Sequence, residues 1–325
     1  MAHIRRILGS MTFGGPINEA QAHQLLKEWV KHGYAEVDTA IVYHEGKSER
    51  IMGKLHLCRD PQKIKIACKA NPKKGFSAEQ VIDQLNQSLA ALQVSSVDIF
   101  YLHLPDHTIP IEETLKGVQK LYKEGKFKEF GLSNFASWEV IDIYHICKQN
   151  EYVVPTVYQG MYNALTRDIE VELIPSLRRY GIRFYCYNPL AGGLLTGKYD
   201  FSASEEYQPK GRFFASNTKG WANARTKSYM DRYWRESYKA GVTHVKKVLK
   251  ETYGNDVSLL EASMRWLHHH SKLNDNDGII LGCSKPEHFQ MNIDACNGDA
   301  LHQNVVDAFD HAWDGIKSKC PKYNR

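Results

Sequence analysis

Four residues in the first third of the chain have the chemistry of a proton-transfer site: Asp38, Tyr43, Lys69 and His103. A tyrosine hydroxyl, with an ordinary pKa of about 10, is a poor acid at neutral pH unless a neighbouring cation stabilises its phenolate. A lysine ammonium supplies that cation, and an aspartate paired with the lysine holds it in place. A histidine can hydrogen-bond the oxygen that receives the proton. The set is an acid beside an oxyanion pocket, which is what carbonyl reduction needs when hydride arrives on carbon.

These residues are separated in sequence, so secondary structure must bring them together. Asp38 sits in Val37-Asp38-Thr39-Ala40, Lys69 ends Ile66-Ala67-Cys68-Lys69, and His103 ends Phe100-Tyr101-Leu102-His103. Each is a short strand-like run that stops at a polar or titratable residue. Expected strands cover 34–39, 63–69, 97–103, 128–133, 154–159, 182–187 and 278–282, with a first one near 4–9. Amphipathic stretches lie between them, such as Val81, Ile82, Leu85, Leu89 and Leu92, then Leu115, Val118, Leu121 and Tyr122. Ser77 and Ser137 are expected helix N-caps. Strand and helix in alternation imply parallel strands, and eight of them make an α/β fold of the (β/α)₈ TIM-barrel type. In such a barrel the chemistry sits at the C-terminal strand ends, which gathers the four residues at one mouth. From Lys198 to about Tyr238 the periodicity fades, which predicts a long loop over that mouth. Val305, Val306, Phe309, Trp313 and Ile316 predict an extra C-terminal helix followed by a short arm.

Composition narrows the classes. With 325 residues and 42% hydrophobic content, the expectation is a single barrel domain over 1–325. No apolar stretch approaches the roughly 18–20 residues of a membrane span, and the first residues lack the apolar core of a signal peptide. The seven cysteines are scattered without a CxxC pair, which fits reduced cytosol and predicts neither disulfides nor a zinc site. Net charge is a mild +5. The cluster from Lys239 to Lys250 alternates with Val242, Val245, Val248 and Leu249, reading as a solvated helix face rather than a nucleic-acid patch. His268-His269-His270 point in different directions on a helix and predict no metal site.

Longer strings carry a resemblance. Asp38-Thr39-Ala40 with Tyr43, Lys69, Leu102-His103, Gly131-Leu132-Ser133-Asn134, Gln159 and Asn188-Pro189-Leu190-Ala191-Gly192-Gly193 resemble the aldo-keto reductases. Pro155-Thr156-Val157-Tyr158-Gln159-Gly160-Met161-Tyr162-Asn163 and Gly192 to Tyr199 are similar to the branch of aflatoxin-aldehyde and succinic-semialdehyde reductases, family 7. The resemblance implies an NADPH/NADP⁺-dependent aldehyde reductase with Tyr43 as proton donor and Asp38, Lys69 and His103 completing a tetrad. By matching position, Ser133, Asn134 and Gln159 would hold the nicotinamide carboxamide and Tyr187 would stack on its ring. Met11 and Asp38 belong to the implied cofactor set. Asn188, Pro189, Leu190, Gly192, Gly193 and Lys198 would form the pyrophosphate loop, with Arg212 as a further contact. Gly282, Ser284, Lys285, His288 and Asn292, entering a helix after the last strand, would meet the 2′-phosphate, which favours NADP over NAD.

Tyr43, His103, Tyr229, Arg232 and Arg325 are the implied substrate residues, the two arginines being suited to a carboxylate-bearing aldehyde. His288 stands where the branch usually has Gln, and a partly protonated imidazole there would strengthen NADPH binding as pH falls. Gly9 to Gly15 differs from the branch's usual loop. The implied partner is a small-molecule aldehyde or ketone, with no nucleic acid, no membrane and a homodimer as the assembly. Two alternatives stand beside this reading: a cofactor-bound partner-binding barrel like the potassium-channel β-subunits, or a reductase of aryl-alcohol or polyketide-type substrates.

Overall fold

A computed structural model describes residues 4–209, 211, 213–214 and 221–325. Strands β1 (Arg5–Gly9), β2 (Glu36–Asp38), β3 (Lys65–Ala70), β4 (Val97–Leu102), β5 (Phe127–Ser133), β6 (Pro155–Met161), β7 (Arg183–Tyr187) and β8 (Gly278–Gly282) pair in sequence order. All pairings are parallel, and β8 closes on β1. Helices α1 (Glu19–Lys31), α2 (Lys47–Lys54), α3 (Ala78–Leu92), α4 (Ile111–Lys123), α5 (Ser137–Gln149) and α6 (Leu173–Arg179) follow the first six strands in turn. Between β7 and β8 lie α7 (Trp221–Tyr233), α8 (Glu236–Tyr253) and α9 (Leu259–His269), and α10 (Pro286–Ala295) and α11 (Gln303–Ile316) complete the chain. The expected TIM barrel and C-terminal helix are both present.

The helices form because each presents an apolar stripe to the sheet. On α3, Val81, Leu85, Leu89 and Leu92 are buried, and the Ser77 side chain accepts from the Gln80 amide while Gln80 reaches back to the Ser77 amide. Ser137 is not a cap: α5 begins one residue earlier than expected, at an Ala136 N-cap whose amide donates to Glu139 Oε2 at 2.6 Å. The Glu139 carboxylate satisfies the N-cap amide, the half of a capping box that does not need a serine.

The segment expected to be a loop from Lys198 to Tyr238 contains α7 and the start of α8. The helical pattern of α7 was hidden because its inward side is made of Tyr229 and Tyr233, four residues apart and both buried, rather than of aliphatic residues. The three histidines end α9 with separate backbone partners, Met264 O, Gly298 O and the Leu301 amide. No described helix is long and apolar enough to cross a membrane.

Inside the barrel, Ile7, Ala67, Ile99, Tyr101, Val157, Tyr185 and Ile280 form a second, smaller core. Gly131 is required here, because a Cβ would stand 2.4 Å from the Tyr101 ring. The N-terminal end of the barrel is lined by ion pairs: Arg5 with Glu36 at 2.8 Å, Lys128 with Asp98 at 2.7 Å, and Arg183 with both oxygens of Glu129 at 2.6 and 2.8 Å. A cavity of about 210 Å³ lies among them. With one end packed and ion-paired, the opposite mouth is left for chemistry.

Candidate active site

Strand register sets the site. Gly9 pairs with Asp38 and with Gly282, Lys69 with Tyr101, Ser133 with Gln159, and Met161 with Tyr187, so one ring of C-terminal strand ends carries the polar residues. Lys69 is fully buried, and its Nζ donates to Asp38 Oδ1 at 2.5 Å and to Thr39 O at 2.7 Å. The Tyr43 hydroxyl lies 3.4 Å from the same Nζ. Burial pulls the Lys69 pKa below the ordinary lysine value, against the pull of Asp38. Asp38 is held from its other side by Gln159, whose Nε2 donates to Oδ2 at 2.8 Å.

His103 stands edge-on to Tyr43, with ring centroids 6.0 Å apart and planes at 80°. Burial, with the nearby Lys69 charge, pushes its pKa down to about 3, so the imidazole is neutral. Its Nδ1 has no hydrogen-bond partner among the described residues. A neutral ring next to a cation-supported phenol can orient and polarise a carbonyl oxygen without adding a charge.

Around this centre, Asn134 donates to His103 O at 2.9 Å and to Ser133 Oγ at 2.8 Å, and Tyr187 donates to Asn134 Oδ1 at 2.7 Å. Beyond β7 the backbone turns repeatedly left-handed, at Asn188, Ala191, Gly192, Gly193 and Gly197. Such turns aim successive amides into concavities that suit anions. At Gly192 a Cβ would meet the Tyr229 ring at 2.5 Å, whereas at Gly193 it would meet nothing. Asn188 is locked by two tyrosines, accepting from Tyr229 at 3.1 Å and donating to Tyr233 at 3.2 Å.

After β8, Asn292 on α10 donates to Gly282 O at 3.2 Å, and Ser284 shares a hydrogen bond with His288 Nδ1 at 3.3 Å. Burial lowers the His288 pKa, with the charges of Lys198 and Lys285 adding to it. The expected partial protonation of His288 near neutrality is therefore displaced to lower pH. The same interactions put the charges of Lys198 and Lys285 within electrostatic reach of His288. Met11, Pro189 and Leu190 lie in the mouth loops after β1 and β7, whereas Arg212 lies outside the described residues.

Arg232 lies over the Tyr229 ring at 5.8 Å. Partial burial lowers the Arg325 pKa, and Arg232 lowers it further, so the two guanidiniums lie within electrostatic reach of each other. The terminal arm is docked: Tyr323 accepts from the Ser137 amide at 3.0 Å, and the Arg325 amide donates to Asn134 O at 3.0 Å.

The Aldo/keto reductase family matches residues 7–314. The chain belongs to that family, and it is an oxidoreductase. It is 45% identical to mouse aflatoxin B1 aldehyde reductase member 2 over 330 residues, covering 98% of this chain and 87% of the relative. It is 44% identical to human aldo-keto reductase family 7 member A3, over 98% of this chain and 96% of the relative. The aldo-keto reductase pigE of Monascus ruber is 33% identical over 92% of this chain and 88% of that protein.

Within this family barrel the sequence reading passed over a supporting set. Ser48 on α2 donates to Ser10 O at 3.0 Å and lies 3.0 Å from Thr39 Oγ1, and Thr12 donates to Cys283 O at 2.6 Å. These hydroxyls tie the loops after β1, β2 and β8 together beneath the tetrad. Small hydroxyl residues in loops give no periodic signal, so only their contacts reveal them.

Proposed function

We propose that the chain reduces aldehydes to alcohols with NADPH and that Tyr43 is the proton donor. The observation that carries this reading is the Tyr43 hydroxyl within 3.4 Å of a buried Lys69 ammonium anchored on Asp38. The left-handed backbone after β7, with Lys198, Lys285 and His288, fits a dinucleotide phosphate chain and would hold it. A bound nicotinamide cofactor supplies the hydride to the carbonyl carbon. Tyr43 gives its hydroxyl proton to the carbonyl oxygen, the new O–H bond forming as the phenol O–H breaks. Lys69 stabilises the phenolate left behind, Asp38 fixes Lys69, and neutral His103 orients the oxygen. Gln159 and Ser133 offer donors and acceptors to a carboxamide, Asn134, whose amide hydrogens go to His103 O and Ser133 Oγ, offers its Oδ1 as acceptor, and Tyr187 offers a ring face.

Two relatives, in mouse and human, are named for aldehyde reduction or for the reductase family, which supports the aldehyde class. Arg232 beside Arg325 at the mouth favours an aldehyde that also bears a carboxylate. The deciding experiment follows NADPH oxidation at 340 nm with 4-nitrobenzaldehyde and with succinic semialdehyde, for wild type and Tyr43→Phe. Turnover that needs NADPH and falls by about 10³-fold or more in the variant supports the reading. Full activity in Tyr43→Phe removes the proton-donor assignment. Tight NADPH binding without turnover favours a partner-binding barrel instead.

A further inference from the structure

One titratable group near the tetrad has no part in the scheme above. Glu49 on α2 is 1% exposed, and its Oε1 has no hydrogen-bond partner among the described residues. The preceding residue, Ser48, is bonded to Ser10 and Thr39, and the Thr39 carbonyl accepts from Lys69 Nζ, so α2 is tied directly to the tetrad. One turn later Gly53 brings α2 onto α3 so closely that a Cβ would stand 2.2 Å from Ala91 O. Cys68, on which Glu49 acts, lies in the core shared with the helices, whereas Ala67, on the same strand face as Lys69, lies in the lumen cluster. Glu49 is thus on the helix side of β3 and Lys69 on the lumen side.

Among the described residues, the groups that act most on Glu49 are Lys69 from β3, Lys74 from the turn after β3, Arg50 from α2 itself and neutral Ser88 from α3, and Glu49 in turn acts on Cys68 of β3. Burial raises the Glu49 pKa to about 7, against the opposing pull of Ser88, Lys69, Lys74 and Arg50. The interaction is mutual, because a charged Glu49 raises the basicity of Lys69.

We propose that Glu49 is a positioning residue for proton transfer, whose carboxylate steadies the Lys69 ammonium from the side away from Asp38 and Tyr43. Its charge sets how firmly Lys69 keeps its proton beneath the phenol. The proposal rests on the reading of Tyr43 as the acid.

The test is the pH profile of kcat/KM with NADPH and 4-nitrobenzaldehyde between pH 5.5 and 10, for wild type, Glu49→Gln and Ser88→Ala, with Tyr43→Phe beside them. Wild type is expected to have an inflection near pH 7 and an alkaline limb. Glu49→Gln removes the inflection and moves the alkaline limb to lower pH, because Lys69 loses a supporting charge. Ser88→Ala moves the inflection to higher pH, because the lost hydroxyl favoured the carboxylate. Profiles of Glu49→Gln and wild type that superimpose after scaling would reduce Glu49 to a structural residue and overturn the proposal. If Glu49→Gln does not fold, an unmoved inflection in Ser88→Ala overturns it alone. Superimposed profiles together with an inactive Tyr43→Phe defeat only the role of Glu49, whereas an active Tyr43→Phe defeats the donor assignment and this proposal with it.

Discussion

Because burial and the Lys69 charge hold the His103 pKa down at about 3, the imidazole carries no acidic proton to give near neutrality, which agrees with the proposal that the Tyr43 phenol is the donor. The His103 ring is therefore expected to stay neutral across the working range, with ring resonances constant between pH 5 and 8 in an NMR titration. A midpoint near 6.5 would return the imidazole to the list of proton donors. At the mouth, the Arg232 charge acts against that of Arg325, a repulsion that an anionic substrate group would relieve on the reading proposed above. Arg325→Ala is expected to raise the KM for succinic semialdehyde by roughly tenfold while leaving that for 4-nitrobenzaldehyde within about twofold. Equal effects on both aldehydes would assign Arg325 to the docking of the terminal arm instead.

Helix α2 reaches the end of β2, where its Ser48 bonds Thr39, while its Glu49 is buried and its Gly53 sets its distance from α3. Gly53→Ala puts a methyl 2.2 Å from a backbone oxygen and is expected to cost about 1–3 kcal/mol in urea denaturation. Turnover should fall as well, because α2 carries Ser48 away from Thr39. Gly315→Ala on α11, where a Cβ meets nothing within 4 Å, is the contrast and is expected to be neutral or to stabilise by up to about 1 kcal/mol. If the two substitutions behave alike, α2 does not position the site through this contact. The same element explains what could be read in advance. Asp38, Lys69 and His103 were legible because strand ends in a parallel barrel face one mouth, a rule of backbone geometry. Glu49 was not, because a charged residue in a short helix reads as a solvated face, and only the approach of α3 encloses it. The inward side of α7 escaped for a related reason: Tyr229 and Tyr233 bury their rings while bonding Asn188, so polar chemistry masks an apolar stripe.

Across the whole molecule, two buried groups act on stability with opposite signs. For His103 the folded state favours the neutral ring, so its contribution is present above the unfolded pKa of about 6.5 and is lost as pH falls toward 3. Glu49 has a raised folded pKa, so its contribution is present below 4.5 and is lost as pH rises toward about 7. Between about pH 4.5 and 6.5 the two slopes oppose one another, which flattens the dependence of wild-type stability on pH and conceals both groups. A difference measurement separates them. Glu49→Gln cannot ionise, so its stability relative to wild type is expected to rise between pH 5 and pH 8, by at most about 3 kcal/mol for a shift from 4.5 to about 7. Urea midpoints of both proteins at the two pH values give the comparison directly, with His103 common to both and cancelling. A difference that stays constant would mean that Glu49 is charged at both pH values in the folded protein. Burial between α2, α3 and β3 would then have left its ionisation unperturbed, and the electrostatic link to Lys69 would have no titration to report.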